Sequence, residues 1–527
     1  MYSRCTLCPV EPPEEIDVRQ YADQAMARLV ATAGAAAGDW RETVDRGLAA
    51  AYKQGDIAGL TSMVQLVTHL LDGQGRYEDA IGELDHALAF ARSSPDAAIV
   101  LHGIKACALA APGRMDEARA ALAEGQLLMA SVSPASRTRY LVFRKAVSWQ
   151  ALDAEDAIGT ESLLADCTAL QLQRDRSFLL SWYIPALAAT GNRRRAHPWI
   201  REIRIEARAA NSVWRLSDAA AFEAWDDFLN DPEARSGTAS FEQANAMSVW
   251  RGEAIRLRDA VLRRDGSSAG SALHNLRDAR RRLASADVGL VERFERASRS
   301  TSGEIAETEA PAPPDAVNLN NLGTLLAEAE SVGMSGTQFA AGTWLDTLTK
   351  IVPDTVQSCM EWPLSVSRVR GLLALRAGDL RRARSELQDA LAWSVAMGFG
   401  TEEALARLQL GELCALADLR VSERTWKLDR SGGASRLSSR GYDPIPHAYA
   451  VAHSLTLASR NRLAERLTRR EVQVLGLLSE DLSYREVAAR LSIAPPTVQT
   501  LAHRVYEKLG ISGRQRAVAE AKRLGIL

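Results

Sequence analysis

Apolar positions recur at helical spacing along most of the chain, and short polar turns separate the apolar stretches. One phrase recurs, in which a turn residue and polar residues precede an Ala and a periodic apolar face. It starts at Gly75 (GRYEDAIGELDHAL), Gly113 (GRMDEARAALAEGQ), Asp153 (DAEDAIGTESLL), Gly191 (GNRRRAHPWIREI) and Gly378 (GDLRRARSELQDAL). The first four starts are 38, 40 and 38 residues apart. This spacing predicts helical hairpins that stack into an array, because a single hairpin cannot bury its apolar face alone.

The hairpins resemble tetratricopeptide-like repeats in their G-x-Y/L-x-x-A segment. Their period is longer than the roughly 34 residues of that family. The resemblance implies an α-solenoid, and a generic helical array without shared ancestry is the alternative. The composition is rich in Ala, Leu, Arg and Glu, which favours helix over strand. We therefore predict an all-α fold.

Two stretches interrupt the array pattern. Residues 298–317 are rich in Pro, Ser and acidic residues, which predicts a linker or loop. The Gly/Ser/Arg-rich sequence DRSGGASRLSSRGYDPIP predicts a second linker over 426–462. The array is thus expected in two parts, 15–297 and 318–425, followed by a separate C-terminal unit at 463–527.

The C-terminal unit carries strong signals for helix starts. Thr468-Arg-Arg-Glu471 and Ser483-Tyr-Arg-Glu486 both have the capping-box pattern, in which a hydroxyl and a carboxylate satisfy free backbone donors at a helix start. Pro495 begins a further helix, since proline fits the first turn, where the missing N–H costs nothing. This third helix is predicted to run to Leu509 and to stop at Gly510.

The third helix has two different faces. At 100° per residue, one face collects the apolar Val498, Ala502, Val505 and Leu509. The other face and its flanks carry Gln499, Thr500, His503, Arg504 and Glu507. A helix that packs on two earlier helices and exposes hydrogen-bonding groups is suited to the major groove of DNA.

This unit resembles the LuxR-type helix-turn-helix family. The residues that carry the resemblance are Leu467, Thr468, Arg470, Glu471, Val474, Leu475, Leu482, Ser483, Glu486, Val487, Ala488, Leu491, Ile493, Thr497, Val498, Lys508, Leu509, Gly510 and Ile511, with Arg514, Ala517 and Val518 beyond them. The resemblance implies a four-helix DNA-binding domain. It departs from the family pattern at Pro495-Pro496, Gln499 and Leu501, so the third helix is less basic than is usual in the family.

The resemblance also implies roles for individual residues. Those expected to contact bases or phosphates are Ser483, Arg485, Thr497, Gln499, Thr500, His503, Arg504 and Lys508. The fourth helix often supplies the dimer contact in this family, which makes Arg514, Ala517, Val518 and Ala521 candidate dimerisation residues.

The charge distribution agrees with an anionic partner for the C-terminal unit. Residues 467–527 hold ten Lys and Arg against six Asp and Glu, although the whole chain has a formal charge of −2. No apolar run approaches the length of a membrane span and the N-terminus lacks a signal-peptide core, so we expect a cytoplasmic protein with no membrane partner. Cys5 and Cys8 form a lone C-x-x-C pair without the further ligands that a metal site needs, so no metal site is expected.

Other functional classes lack their motifs. The chain has no Gly-Lys dipeptide and hence no phosphate-binding loop, although its layout is similar to the large MalT-like LuxR-type regulators that carry an ATPase. Hydrolase, zinc-protease and dinucleotide-binding motifs are missing too, so we predict no enzyme and no cofactor. Five Trp between 182 and 250 line an apolar ligand groove or belong to the core.

The sequence therefore predicts a sequence-specific transcription regulator. Its array is expected to sense an unknown small molecule or protein, and its C-terminal unit to bind promoter or operator DNA as a homodimer, with RNA polymerase as a further candidate partner. Two alternatives remain open. One is a repeat scaffold whose tail docks a protein, and the other is a sigma-factor-like promoter-binding subunit.

Overall fold

The structure is a computed structural model. It describes residues 17–18, 22, 40–73, 76–153, 157–209, 212–230, 246–283, 290–301, 311–314, 317–417, 419, 422–509, 513–523 and 526–527. This part of the chain is built from α-helices and contains no β-strand, which confirms the all-α prediction. Cys5, Cys8 and Gly75 lie outside the described residues.

The first thirteen helices of the described chain occupy residues 40 to 301. They are α1 Trp40–Gln54, α2 Ile57–Gly73, α3 Tyr77–Phe90, α4 Pro95–Ala110, α5 Met115–Leu127, α6 Pro134–Gln150, α7 Ala157–Ala169, α8 Gln173–Ala189, α9 Arg193–Ala209, α10 Val213–Asn230, α11 Ala246–Arg263, α12 Gly266–Leu283 and α13 Leu290–Thr301. A short 3₁₀ helix, Ala91–Ser93, separates α3 from α4.

Seven more helices follow before the C-terminal unit, which has four. The seven are α14 Leu322–Ser335, α15 Gln338–Ile351, α16 Val366–Ala377, α17 Leu380–Met397, α18 Gly400–Leu416, α19 Glu423–Ser439 and α20 Ile445–Arg466. The four are α21 Arg469–Ser479, α22 Tyr484–Leu491, α23 Pro495–Leu509 and α24 Arg514–Arg523.

Glycines at the predicted repeat starts form the turns between hairpin helices. Gly113, Gly191 and Gly378 have φ of +92°, +72° and +90°, the left-handed region that favours glycine. In each case the next helix, α5, α9 or α17, begins two residues later. The hairpin turns are therefore as predicted. The solenoid and its likeness to tetratricopeptide repeats stay predictions.

The apolar core is continuous across the expected break at 298–317. Phe294 of α13 lies 5.3 Å from the Trp362 ring, measured between ring centroids, and belongs to the same buried cluster as Leu322 of α14. Pro311 accepts a hydrogen bond from Trp344 Nε1 at 2.9 Å. Residues 302–310 and 315–316 lie outside the described part. Segments on both sides of the Pro-rich stretch thus share one core.

The structure contradicts the linker expected over 426–462. Helices α19 and α20 cover most of this segment, and Leu437 and Val451 are buried in the main core. The glycines that suggested a flexible stretch have a packing role instead. A Cβ on Gly433 would lie 2.5 Å from the Leu408 backbone N, and one on Gly411 would lie 2.5 Å from the Arg430 backbone N. Glycine is required there because α18 and α19 approach each other to backbone contact.

The tryptophans between 182 and 250 belong to the core. Trp225 and Trp250 are buried, and Trp182 and Trp199 pack partly buried against the same cluster. The side chain of Trp214 lies outside the described part. Of the two interpretations of these residues, core packing is the one that the described side chains support.

A buried charge cluster lies at the centre of the second half of the array. Arg258, Glu330, Arg368 and Glu402 come from α11, α14, α16 and α18, and all four are at most 2% exposed. Arg258 contacts Glu330 at 2.6 Å and Glu402 at 3.0 Å, and Arg368 Nε contacts Glu402 at 2.7 Å. Burial alone would raise the pKa of Glu330, but Arg258 and Arg368 outweigh it and hold this pKa far below its usual value.

Helix α20 closes this centre and leads directly into the C-terminal unit. His447 is 1% exposed. Burial has the largest effect on its pKa and the positive charge of the nearby Arg368 the next largest, and together they lower it to about 3. Arg376 of α16 lies 2.7 Å from His453 Nδ1. Only Leu467 and Thr468 separate the end of α20 from the start of α21. In the described part of the chain, no helix combines the length and apolar character needed to cross a membrane.

Candidate nucleic-acid interface

Helix α21 begins at a complete capping box. The backbone N–H of Glu471 donates to Thr468 Oγ1 at 3.3 Å, and that of Thr468 donates to Glu471 Oε2 at 2.6 Å. Behind this start, Val474, Leu475 and Leu478 are buried. The local sequence thus fixes both the first residue of α21 and the face that it buries.

Helix α22 repeats this design and ends in a tight turn. The backbone N–H of Glu486 donates to Ser483 Oγ at 3.4 Å, and that of Ser483 donates to Glu486 Oε2 at 2.7 Å. Hydrogen bonds from the Ser483 hydroxyl and backbone hold the pKa of Glu486 below its usual value. Ser492 ends the helix with φ of +52°, a left-handed conformation that is uncommon for a residue with a Cβ.

Helix α23 starts three residues after this turn and lies across α21 and α22. Its Val498, Ala502 and Val505 are at most 1% exposed. Val498 and Ala502 share a cluster with residues of α21 and α22, and Val505 packs with Leu475 of α21. The predicted Gly510 stop lies outside the described part. Burial of one face fixes which side of α23 faces solvent.

Five of the predicted contact residues form an exposed ridge on α23, which we call the α23 ridge. It consists of Thr497, Gln499, Thr500, His503 and Arg504. His503 Nε2 lies 3.6 Å from Glu507 Oε1, and the two side chains are 75% and 67% exposed. Thr500 Oγ1 donates to the Pro496 carbonyl at 3.0 Å, and its lone pairs remain available as acceptors. Ser483 and Arg485 are exposed at the start of α22.

Lys508 lies apart from the α23 ridge. Its Nζ donates to Glu471 Oε2 at 2.5 Å, and the Glu471 side chain is 2% exposed. Burial alone would raise the pKa of Glu471, but hydrogen bonds from Lys508 and Thr468 outweigh it and lower this pKa. In this geometry the ammonium of Lys508 ties α23 to the start of α21. Its predicted phosphate contact is not part of the arrangement.

The candidate dimerisation residues face the interior of their own domain. Ala517 and Ala521 are fully buried with Leu475 and Val505, and Val518 packs against the same cluster. The Arg514 guanidinium donates to the Leu478 carbonyl from Nε at 3.1 Å and from Nη2 at 2.7 Å. These four residues attach α24 to α21. Ala517 and Ala521 are buried and offer no surface to a dimer partner, while the partly exposed Arg514 and Val518 stay predicted dimer contacts. Among the α24 side chains that the structure describes, the outward ones are Gln515, Arg516, Ala519 and Lys522.

Sequence reasoning missed two contacts that hold the helices at their angles. Arg470 Nη2 donates to the Leu491 carbonyl at 2.6 Å, which joins α21 to the end of α22. The Tyr484 and Tyr506 hydroxyls lie 3.2 Å apart and join α22 to α23. Arg470 belongs to the motif that carries the resemblance, but the pattern does not indicate its partner. Both tyrosines pack against the apolar cluster that α21, α22 and α23 share, but the helical pattern does not indicate that their hydroxyls meet.

The ion pairs within this unit determine which cations face outward. Arg490 contacts Glu480 at 2.6 Å, and Lys508 and Arg514 bind groups of α21. Within the described residues, neither Arg485 nor Arg504 makes an ion pair. The positive charge on the α22–α23 side therefore resides mainly in these two exposed guanidinium groups, which suit phosphate oxygens.

Two helices joined by a tight turn, with the second helix exposed on one side, form a helix-turn-helix. Residues 465–521 match the family model of bacterial regulatory proteins, luxR family. This segment is a LuxR-type helix-turn-helix domain. The LuxR-type domain is similar to the HTH-type transcriptional regulators MalT of Yersinia enterocolitica serotype O:8 and Yersinia pestis, with 45% identity over 58 residues.

The similarity to these relatives lies within the LuxR-type domain. The 58 matched residues are 11% of this chain and 6% of each of these relatives, so they leave the helical array uncovered. No solved structure matches this chain. Within the described residues, no group of three or more His, Cys, Asp or Glu side chains is arranged to hold a metal ion.

Proposed function

We propose that this chain is a sequence-specific DNA-binding transcription regulator. The observation that carries the proposal is the α23 ridge, which places amide, hydroxyl, imidazole and guanidinium groups on the solvent side of the second helix of a helix-turn-helix. A B-DNA major groove is wide enough to admit such a helix, and its base edges present the donors and acceptors that these groups recognise.

The residues of the ridge suit different contacts. The Gln499 amide has the geometry to pair with an adenine edge through its donor and its acceptor. Thr500 and His503 suit base edges or phosphates, and Arg504 suits a phosphate. Ser483 and Arg485 lie at the start of α22, where the helix dipole and exposed N–H groups favour a phosphate oxygen. Thr497 lies at the same end of α23 and suits a phosphate as well.

The array is proposed to receive the signal, from a small molecule or a protein, and α20 to transmit it. Support comes from the connectivity, since α20 packs into the array through Val451 and His447 and reaches α21 after two residues.

We further propose a homodimer on DNA. Because the inward face of α24 is occupied, its contact would use outward residues of α24 or a surface of the array. RNA polymerase is a further proposed partner, and no enzymatic reaction is proposed.

Two linked measurements test the function. Genomic DNA fragments captured by the intact protein provide a duplex, and fluorescence anisotropy then gives its Kd for the full chain and for a chain lacking 463–527. We expect the truncated chain to lose binding, and wild-type affinity to fall steeply as salt rises, because counterions are released from phosphates. Undiminished binding by the truncated chain would disprove the proposal. Salt-insensitive capture of a protein would favour the scaffold, and copurification with core RNA polymerase together with promoter opening would favour the sigma-like subunit.

Gln499→Ala tests base recognition by the α23 ridge. The amide is exposed and makes no hydrogen bond with the described part of the chain, so we expect an unchanged melting temperature. The affinity for the captured duplex should fall by about 1–3 kcal/mol, the usual value of one bidentate base contact, while the affinity for random DNA stays the same. Gln515→Ala, at an outward position of α24, is the matched control. Equal losses on both duplexes would refute base recognition by Gln499.

A further inference from the structure

One face of helix α9 is exposed along the length of the helix and carries a regular row of side chains. The buried Ala196, Ile200, Ile203 and Ala207 fix which side of α9 packs into the array. On the opposite side, exposed residues follow one another at intervals of four, three, four and three positions, and we call this row the α9 seam. It consists of Arg194, Pro198, Arg201, Ile205 and Arg208. Alternating intervals of four and three are those at which one helix meets another in a coiled coil.

The three arginines of the α9 seam make no ion pair or hydrogen bond with the described part of the chain. The charges on their flanks are paired instead. Glu202 and Glu206, the two acids of α9, both contact Arg176 of α8. The other arginines of α9 also have acidic partners: Arg193 contacts Asp226 at 2.7 Å, Arg195 contacts Glu161 at 2.8 Å and Arg204 contacts Glu223 at 2.8 Å. The neighbouring acids are thus already engaged, and the positive charge of the seam faces solvent.

Apolar side chains alternate with these arginines. Ile205 is 64% exposed and lies between Arg201 and Arg208 along the seam, and Pro198 is exposed between Arg194 and Arg201. Seven residues of a helix span about 10.5 Å. A second helix lying along α9, with acids at the same seven-residue period, would therefore meet each arginine in turn. Its intervening apolar residues would cover Ile205 and Pro198.

We propose that the α9 seam binds an amphipathic helix of another protein, with Asp or Glu at one position of each heptad and an apolar residue at the other. Charge complementarity carries this choice, because the three guanidinium groups lack a counter-charge within the described residues and a carboxylate suits their geometry. The proposal gives the chemistry of the protein from which the array would receive its signal.

The composition of the α9 seam disfavours two other occupants. A two-fold contact between copies of the chain uses the same surface on both partners, so it would bring Arg201 against the same residue of the second copy. Like charges in contact oppose association. A nucleic-acid backbone would satisfy the arginines, but its phosphates offer no apolar surface to Ile205. An acidic amphipathic helix satisfies both kinds of side chain.

The start of α9 packs against the second half of the array. A Cβ on Gly191, two residues before the helix, would lie 2.5 Å from the ring of Trp393 of α17. The Trp393 ring lies 4.8 Å from that of Phe399, measured between centroids, and α18, which begins at Gly400, carries Glu402 of the buried charge cluster. A helix bound along α9 would act on this packing, which leads to α20. This regulatory consequence rests on the proposed function, whereas the binding itself does not.

The test uses the full chain and two fluorescein-labelled helical peptides of three heptads. Both peptides consist of Ala and Gln with Leu at position a, and they differ at position d, which holds Glu in one and the uncharged Gln in the other. We expect fluorescence anisotropy to show at least about fivefold tighter binding of the Glu peptide, the combined contribution of three partly exposed ion pairs. High salt should remove this advantage. Equal binding of the two peptides, or no binding of either, would refute the proposal.

Two variants place the binding on the α9 seam. Arg201→Glu removes one ion pair and adds a repulsion, so it should weaken binding of the Glu peptide by about threefold to tenfold and leave the Gln peptide unaffected. Ile205→Ser should weaken both peptides by about threefold to tenfold, because an apolar contact is lost. The matched controls are Arg381→Glu, at an exposed position of α17, and Leu127→Ser, at the exposed end of α5, and both should bind as wild type.

Three outcomes would overturn the site. The first is wild-type binding of the Glu peptide by Arg201→Glu. The second is a monomer–dimer shift caused by Arg201→Glu without loss of peptide binding, which would make a second copy the occupant. The third is a lower affinity of Arg201→Glu for random duplex DNA without loss of peptide binding, which would make a nucleic acid the occupant.

The captured duplex separates this inference from the proposed function. Saturating Glu peptide should change the Kd of the wild type for this duplex and leave that of Arg201→Glu unchanged. An unchanged Kd in the wild type would overturn the regulatory consequence. Duplex binding without peptide binding would overturn the inference alone, and peptide binding without binding of any duplex would overturn the function alone.

Discussion

At the scale of single residues, two cations of α23 with similar chemistry have different surroundings. Arg504 is exposed on the α23 ridge, and Lys508, four residues later, donates to the buried carboxylate of Glu471. The flexible four-carbon stem of lysine lets its ammonium fold back along the helix toward α21. Position on a helical wheel alone therefore does not separate a DNA-contacting cation from one that supports the domain.

Replacing each cation by methionine should separate the two roles. Arg504→Met should leave thermal stability unchanged and reduce the salt dependence of DNA binding by about one phosphate contact. Lys508→Met should lower the stability of the LuxR-type domain by about 1–3 kcal/mol, because Glu471 then loses a charge-assisted hydrogen bond while remaining buried. Anisotropy titrations over a salt series and hydrogen exchange of α21 give the two quantities. A reduced salt dependence in Lys508→Met with normal exchange would show that it contacts phosphate after all.

Glu471 makes the stability of the domain dependent on pH. Its pKa is lower in the folded domain than in the unfolded chain, so its contribution is fully present above the unfolded value of about 4.3 and disappears as pH falls through the folded value. We therefore expect Glu471→Gln to be less stable than wild type above about pH 5, with a difference that shrinks below about pH 4. Hydrogen exchange of α21 amides in the two proteins at matched pH measures this. A difference that grows with acidity would contradict the assigned direction.

At the scale of the helix, the turn between α22 and α23 depends on one strained residue. Ser492 adopts φ of +52° at the end of α22, a conformation in which a Cβ is unfavourable. No local pattern in the sequence indicates that a residue other than glycine adopts this conformation between the two helices. The packing of the buried Val487 and Val498 fixes the helices on either side of Ser492 and offsets the strain of its backbone.

Ser492→Gly should relieve this strain. We expect the LuxR-type domain to gain up to about 1 kcal/mol, while Ser492→Val, which adds a branched Cβ, should lose at least as much. Denaturant unfolding followed by circular dichroism, together with exchange of α22 amides, measures both changes. If Ser492→Gly instead lowers the stability of the domain, the Ser492 side chain makes a stabilising contact of its own.

At the scale of the whole molecule, four distant helices meet at the buried charge cluster. Arg258 and Glu402 are 144 residues apart in sequence and 3.0 Å apart in space. In a simple linear array each repeat contacts only its neighbours, so this contact makes the second half of the array one cooperative unit. Helix α20 packs on the same centre through His447, which couples the stability of this unit to the helix that precedes the LuxR-type domain.

Arg368→Met tests the dependence of the array on this cluster. Removing one guanidinium leaves Glu330 and Glu402 buried with one neutralising partner between them, and loss of a buried partner typically costs about 3–5 kcal/mol. We expect an earlier unfolding transition and rapid proteolysis between α14 and α20, measured by limited digestion and mass spectrometry. Arg381→Met, at an exposed position of α17, is the control and should digest as wild type. Equal resistance of both variants would show that the cluster is dispensable.

The sequence by itself determined the features that are encoded locally. The starts of α21 and α22, the buried stripe of α23 and the glycine turns of the array follow from residues within about four positions of one another, the range of capping and helical periodicity. The tertiary structure decided the rest. Four features depend on partners tens of residues away: the ion pair of Lys508, the inward face of α24, the glycine contacts of α18 with α19, and the buried charge cluster. No local pattern specifies which distant surfaces will meet.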